Sequence, residues 1–547
     1  MSYRALVVST WGDFRRYQPA YYVQEGGGAG VKCNSSSIAL TQILSARGYD
    51  VKALIILPYT LLSSEDIGNA QSIDYPVVVD RVVGKAREQI SQWVGSGDCE
   101  AGDAINRLEF AVVPAMASII DTKLRFEAKP NLYQLAVYHS VYRALTSGDY
   151  DWVYLDTTHG INYMPHLASE AVRLAVHVYT VRRGRPIGYV TVNSDPYPQR
   201  ERPVAKPQGQ SEVPNLAIYE TYHETATPQG APGVVGALSL DILKWYVRAT
   251  PRNNRGELHV DGEALRLGLI LGVSLRDALY PVIMSLGDEI GRYRDVVVSD
   301  LGRLDTAPVG VRRDGDWTVV AHTYEPSILR SSGGIMYRAA MAMHALLEVA
   351  HKLVEDVRGE VRVVNGSVAL TIDALRRLNN AYGNITNRAI VENEIAKLQY
   401  VENDVNRDFM SKHVGRQYRL MIFEAHPYDQ LWTRCIRNEA SACKTLDDLL
   451  NAIDRGGESP EISGISTKYD LCRIAAGDSD EAVIDKYRDL VSHVGLDMYN
   501  TYVIITEEGG RRKPLVTYGD KLNCLMDLIY RGVLIEVATD EAVQAWV

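Results

Sequence analysis

The chain opens with short, almost wholly apolar runs separated by longer stretches in which apolar residues recur every three or four positions. Ala5–Thr10 and Val51–Leu57 are the first such runs, and Trp152–Asp156 and Ile187–Val192 follow. Each is short and rich in β-branched residues, as a strand covered on both faces should be. Ser36–Arg47, closed by Gly48, and His166–Thr180 carry the helical period instead. This alternation predicts βαβ units, and hence an α/β, Rossmann-like domain with a mostly parallel sheet over residues 1–225.

Residues 194–233 hold many Pro, Gln and Gly and read as a boundary loop. Helices around Leu238–Val247 and Gly262–Leu271, with polar strands near Val309–His322, predict a small mixed connector domain over 226–330. From 331 to 547 the pattern is mainly α-helical: Ile335–Val357, Leu370–Leu398, Leu446–Ile453 and Glu481–Val494. A terminal strand pair, Tyr502–Ile505 and Lys513–Tyr518, and a helix at Leu522–Tyr530 close this third domain.

A length of 547 residues agrees with about three domains. The net charge of −10 supplies no global field for nucleic acid, so any RNA contact is local to a cleft. Six dispersed cysteines contain no C-x-x-C pair, which argues for buried thiols rather than a disulfide framework or a zinc site, although Cys435 and Cys443 are close enough in sequence to pair. No signal peptide and no apolar run of about 18 residues is visible, so a cytoplasmic protein without a membrane partner is expected.

Ligands on a parallel sheet sit beyond the C-terminal strand ends, which directs attention to the loops after Thr10, Asp156 and Val192. Ser9-Thr10-Trp11 follows the first strand, Asn34-Ser35-Ser36 opens the first helix, and Thr157-Thr158-His159-Gly160 with Asn162 follows a later strand. Hydroxyls, an imidazole and helix-start amides suit phosphate and ribose, and the same residues also suit plain caps and turns. Gly26-Gly27-Gly28-Ala29-Gly30 matches neither a dinucleotide nor a P-loop fingerprint and reads as a loop.

Thr10-Trp11-Gly12, the run from Asp156 to Pro165, and Asn193-Ser194-Asp195-Pro196 together resemble the CARF domains of type III CRISPR ancillary ribonucleases. That resemblance implies a CARF sensor joined to a HEPN effector, acting as a homodimer or higher homo-oligomer. It implies cyclic oligoadenylate, most often cyclic tetra-adenylate, as the allosteric activator. It also assigns Ser9, Thr10, Trp11, Asn34, Ser35, Ser36, Thr157, Thr158, His159, Gly160 and Asn162 to the sensor site.

In the helix at Glu481–Val494, Arg488 and His493 lie five apart, roughly 140° around the axis. Within one helix they need not meet, but two such helices in a dimer can line one cleft. A histidine can give or take a proton and an arginine can grip a phosphate, so the pair suits RNA cleavage without metal or other catalytic cofactor. Tyr487-Arg488-Asp489-Leu490-Val491-Ser492-His493-Val494-Gly495 resembles the R-N-x-x-A-H-x-G run of the same ribonucleases, with Asp489 in place of Asn and Ser492 in place of Ala. The resemblance implies a single-stranded RNA endoribonuclease leaving 2′,3′-cyclic phosphates, with Arg488 and His493 as catalytic residues. Arg407 and His413 satisfy a similar spacing and stand as the alternative or a second site. A non-catalytic regulator that binds DNA in response to a ligand is the competing function.

Overall fold

The computed structural model describes residues 3–160, 163–198, 213–249, 261–327, 335–364, 367–399, 419–422, 475, 479–496, 502–508, 511–518 and 522–544. The chain forms two compact units, Met1–Thr227 with Val296–Met341, and Pro228–Asp295 with Ala342–Val547.

The N-terminal unit is built on an eight-stranded sheet. Its strands are β1 (Arg4–Thr10), β2 (Ala20–Gln24), β3 (Val31–Cys33), β4 (Asp50–Pro58), β5 (Leu108–Val113), β6 (Trp152–Asp156), β7 (Ile187–Ser194) and β8 (Asn215–Ala226). Their spatial order is β3-β2-β8-β7-β6-β1-β4-β5. The five strands from β7 to β5 are parallel, as the apolar runs predict, while β8 is antiparallel to β7. β1 lies in the middle, buried along nearly its whole length.

The helices are α1 (Ser36–Ala46), α2 (Tyr75–Gly95), α3 (Pro130–Ser147) and α4 (Tyr163–Arg183). After β1 the chain places the β2–β3 hairpin at the far edge, then adds β4 and β5 outward on one side of β1 and returns to lay β6 on the other. The order therefore reverses between β1 and β6, and a crevice opens beyond their C-terminal ends.

Two expectations are corrected in this unit. The supposed boundary loop at 194–233 contains β8, whose second half is a largely exposed polar run that hides the strand from an apolar-run reading. Cys33 and Cys99 are not free thiols but form a disulfide between the end of β3 and the loop after α2. The glycine run at 26–30 is the loop of the β2–β3 hairpin, where Gly26, Gly27 and Gly28 all take positive φ.

Residues 226–330 do not form a unit of their own. The hairpin Val309–Asp314 and Trp317–His322 joins a five-stranded sheet with Ser72–Ile73, Leu124–Glu127 and Ala117–Ile119 in the N-terminal unit. The helices Ala231–Ala249 and Asp261–Arg276 belong to the other unit, where ion pairs tie them to the helix Leu522–Gln544: Lys244 to Glu536 at 2.7 Å, Arg248 to Asp540 at 2.6 Å and Arg266 to Asp527 at 2.6 Å. The two helices also cross closely, since a Cβ on Gly236 would stand 2.7 Å from the Gly272 carbonyl oxygen.

The C-terminal unit has the expected helical content together with more sheet than the terminal strand pair. Tyr502–Glu508 and Arg511–Thr517 pair antiparallel inside a five-stranded sheet with Val361–Val364, Ser367–Thr371 and Arg419–Ile422. The single helix expected over Leu370–Leu398 is instead a strand end followed by helices Ile372–Tyr382 and Ile385–Gln399, broken at Gly383-Asn384. Leu446–Ile453 lies outside the described residues. Among the described residues, no helix is long and apolar enough to cross a membrane.

The disulfide joins residues 66 apart, for which the chain-entropy model gives about 4 kcal/mol. Reduction with dithiothreitol, or Cys33→Ser, is expected to lower the melting temperature by several degrees. Adding reductant to Cys33→Ser should lower it no further through this bond, which differential scanning calorimetry can check.

Candidate functional sites

The crevice between β1 and β6 gathers most of the expected sensor residues. Asp156 ends β6 as a buried carboxylate, and donors answer its charge: the Ser36 hydroxyl at 2.6 Å, the Thr158 amide at 3.0 Å and the Ser9 hydroxyl at 3.5 Å. Such charge-assisted bonds are what makes burial of a carboxylate tolerable. Thr10 donates through Oγ1 to the His159 carbonyl at 3.0 Å, so the loop is fixed to both strands.

His159 closes the cradle. Its Nε2 accepts the Ser36 backbone N–H at 3.1 Å, and its ring stacks on Tyr17 with centroids 4.1 Å apart. An Nε2 that accepts cannot carry a proton, so the imidazole is neutral with its hydrogen on Nδ1. Burial independently pushes its pKa down to about 4, against the opposing pull of Asp156. Tyr17 in turn accepts the Gly12 N–H on its hydroxyl at 3.0 Å, and burial holds that phenol far above its ordinary range.

Asn34 donates to the Tyr17 carbonyl at 3.2 Å, while its own buried Oδ1 has no partner among the described residues. Ser35 begins α1 without a side-chain cap and instead shares a hydroxyl bond with Ser37 at 2.8 Å. Thr157 and Thr158 hold the loop to β7: Thr157 donates to the Val192 carbonyl at 2.9 Å, and Thr158 Oγ1 accepts the Ser194 N–H at 3.0 Å. Gly160 is exposed and tightly placed, since a Cβ there would stand 2.4 Å from Pro165 and 2.9 Å from Thr10 Oγ1.

Trp11 does not present its ring to a ligand. It is fully buried against Phe14, Tyr17 and Trp93, and its Nε1 donates to Ser37 Oγ at 3.0 Å, which anchors the first turn of α1. Asn162 lies outside the described residues. Two residues absent from the expected set matter here. Asp156 stood in the motif as the carboxylate at a strand end, whereas the Tyr17 stack has no local sequence signal because it depends on a tertiary contact.

In the C-terminal unit the Arg488–His493 segment forms the helix Asp480–Ser492, capped by Ser479, whose hydroxyl accepts the Ala482 N–H at 3.4 Å. Val483, Tyr487 and Leu490 bury one face, and Gly532 of the Leu522–Gln544 helix lets that helix approach the Tyr487 ring. The helix ends at His493, after which Val494 and Gly495 turn through positive φ of 48° and 78°. The Tyr518 hydroxyl fastens this turn by donating to the Gly495 carbonyl at 2.8 Å.

Arg488 is exposed and makes no hydrogen bond or ion pair with any described residue. His493 is half-exposed, with Nδ1 3.1 Å from Oε1 of the buried Glu394. Nε2 has no partner among the described residues. Asp489 pairs with Lys486 at 2.9 Å, which offsets the carboxylate that replaces the usual Asn. Sequence reading missed Glu394, 99 residues away, because no spacing rule links the two helices. Arg407 and His413 lie outside the described residues.

Residues 6–196 match the family model described as CRISPR system endoribonuclease Csx1, CARF domain. A segment of 204 residues is 26% identical to the CRISPR system endoribonuclease Csx1 of Methanocaldococcus jannaschii, covering 36% of this chain and 38% of that relative. The likeness to CRISPR-associated, CARF-containing ribonucleases thus rests on more than the motifs. The family-model match encloses every residue of the β1–β6 crevice and ends well before Arg488.

Because folded His159 holds a proton less tightly than the unfolded chain, the unfolded state binds more protons between pH about 6.5 and about 4. The stability tied to the neutral ring is complete above that window and is lost as pH falls through it. His159→Gln should therefore flatten the acid limb of the melting-temperature profile. An unaltered slope between pH 6.5 and 4 would count against the buried neutral imidazole.

Proposed function

We propose that this relative of the CARF-containing CRISPR ribonucleases is an endoribonuclease of antiviral defence that a cyclic oligoadenylate, most simply cyclic tetra-adenylate, switches on. The observation that carries the reading is the histidine of the C-terminal unit. His493 is held through Nδ1, and Nε2 has no partner among the described residues; five residues before it, exposed Arg488 has none among them either, on a helix capped by Ser479. The match of residues 6–196 to a CARF domain supports the sensor half.

The activator binds at the β1–β6 crevice, where hydroxyls and backbone N–H groups suit phosphate and ribose. Single-stranded RNA binds near Arg488, whose guanidinium forks onto phosphate oxygens. Nε2 of His493 takes the proton from a ribose 2′-hydroxyl, and the 2′-oxygen attacks the adjacent phosphorus. Arg488 stabilises the extra charge on the phosphorane, then the P–O5′ bond breaks and O5′ takes a proton from an imidazolium. The products are a 2′,3′-cyclic phosphate and a 5′-hydroxyl, with no metal required. A homodimer brings two Arg488/His493 pairs to one cleft, so the acid and the base come from different copies.

Single-stranded RNA incubated in EDTA with and without cyclic tetra-adenylate tests this. Activator-dependent cleavage is expected, falling by on the order of a thousandfold in Arg488→Ala or His493→Ala. Undiminished cleavage in both variants transfers the chemistry to Arg407 and His413. Absence of cleavage with any cyclic oligoadenylate favours a ligand-responsive regulator instead.

A further inference from the structure

Glu394 lies on the helix Ile385–Gln399, whose start is fixed by Asn384, with Oδ1 accepting the Asn387 N–H at 2.8 Å. Asn379, on the preceding helix, adds a second tie by donating to the Arg388 carbonyl at 3.2 Å. The carboxylate of Glu394 is therefore carried on a well-held element and is itself buried, only 3% exposed. Burial of a carboxylate is costly unless its charge is answered. Here the answering group includes a ring that is not buried with it, since the His493 side chain is 46% exposed.

A pair serving only to join two helices would gain most by burying both partners. This one buries the acid and leaves the outer edge of the base in solvent. The arrangement matches what proton transfer by histidine requires: one nitrogen fixed by an acceptor, the other bearing a lone pair towards the substrate.

We propose that Glu394 is the positioning residue for His493. It accepts the Nδ1–H, sets the tautomer in which Nε2 can take a proton, and stabilises the imidazolium formed when it does. The inference rests on the reading of His493 as the proton-transfer group. In the step, the 2′-O–H bond breaks as Nε2–H and 2′-O–P form. O5′ takes its proton from the imidazolium of the second copy as P–O5′ breaks, and Glu394 keeps its charge throughout.

The test uses the full-length protein, cyclic tetra-adenylate and a single-stranded RNA, with variants Glu394→Gln, Glu394→Asp, Glu394→Ala and His493→Ala. Glu394→Ala should lower kcat roughly 10- to 100-fold with KM within about twofold, as loss of a partner that orients a working histidine does. Glu394→Gln keeps an acceptor but loses the charge, so its loss should be smaller, and Glu394→Asp should recover part of the rate. Nitrogen-15 NMR of the histidines gives a readout independent of turnover. His493 should show the Nδ1–H tautomer in the unaltered protein and in Glu394→Gln, and lose that preference in Glu394→Ala.

Full kcat in Glu394→Ala, alongside an inactive His493→Ala, overturns the role of Glu394 and leaves the ribonuclease reading standing. Rate losses that merely follow a lower melting temperature, with the tautomer unchanged, overturn it as well. Wild-type cleavage by His493→Ala instead overturns the assignment of chemistry to this helix, and the role of Glu394 with it.

Discussion

The hydrogen bond from the Ser36 hydroxyl to the buried Asp156 carboxylate joins the first turn of a helix to the end of a strand 120 residues away. It spans the point where the sheet reverses its strand order, so it closes the crevice that the topology opens. A hydrogen bond to a charged group is worth about 1.5–3 kcal/mol, enough to fix this turn of helix against the loop. With Ser36 held, its backbone N–H faces the imidazole of His159, and that imidazole in turn meets the Tyr17 ring. The aromatic group of Trp11, Tyr17 and Trp93 then supports the whole from beneath.

The two candidate sites differ in how they treat their polar groups. At the crevice nearly every donor and acceptor is satisfied internally, and a ligand must compete for them. At the Asp480–Ser492 helix the opposite holds, because among the described residues Arg488 and the outer edge of His493 have no partner while the inner edge is engaged. A satisfied, buried network discriminates by shape and tolerates few changes. An exposed cation beside a held imidazole is ready for any phosphate that reaches it. These are the properties asked of a sensor and of an effector respectively.

Much of the N-terminal sheet was legible because its central strands are buried on both faces and read as continuous apolar runs. β8 was not, since E-T-Y-H-E-T within it is polar and largely exposed, with no buried alternation to read. The Cys33–Cys99 bond escaped because the two cysteines are far apart in sequence and share no motif. The break at Gly383 was hidden by the strong helical period of Ile372–Tyr382 before it, while the helix after it carries almost no amphipathic period. At the candidate sites, Ser36, His159, Arg488 and His493 could be named from the sequence because each is defined within one segment. Those defined by a partner from another segment, Tyr17 and Glu394, were not, and Trp11 was given a ligand contact that its burial withholds.

The make-up of the crevice carries a consequence for how its ligand is held. The groups that converge there are hydroxyls, backbone amides and a neutral ring, set around the Asp156 carboxylate. Lysine and arginine clamps release condensed counterions when they grip phosphates, and their grip fades steeply as salt rises. A cradle whose named contacts include no lysine or arginine among the described residues has little such release to lose. Affinity for an anionic ligand then depends on fit and hydrogen bonding, so its occupancy should vary little with ionic strength.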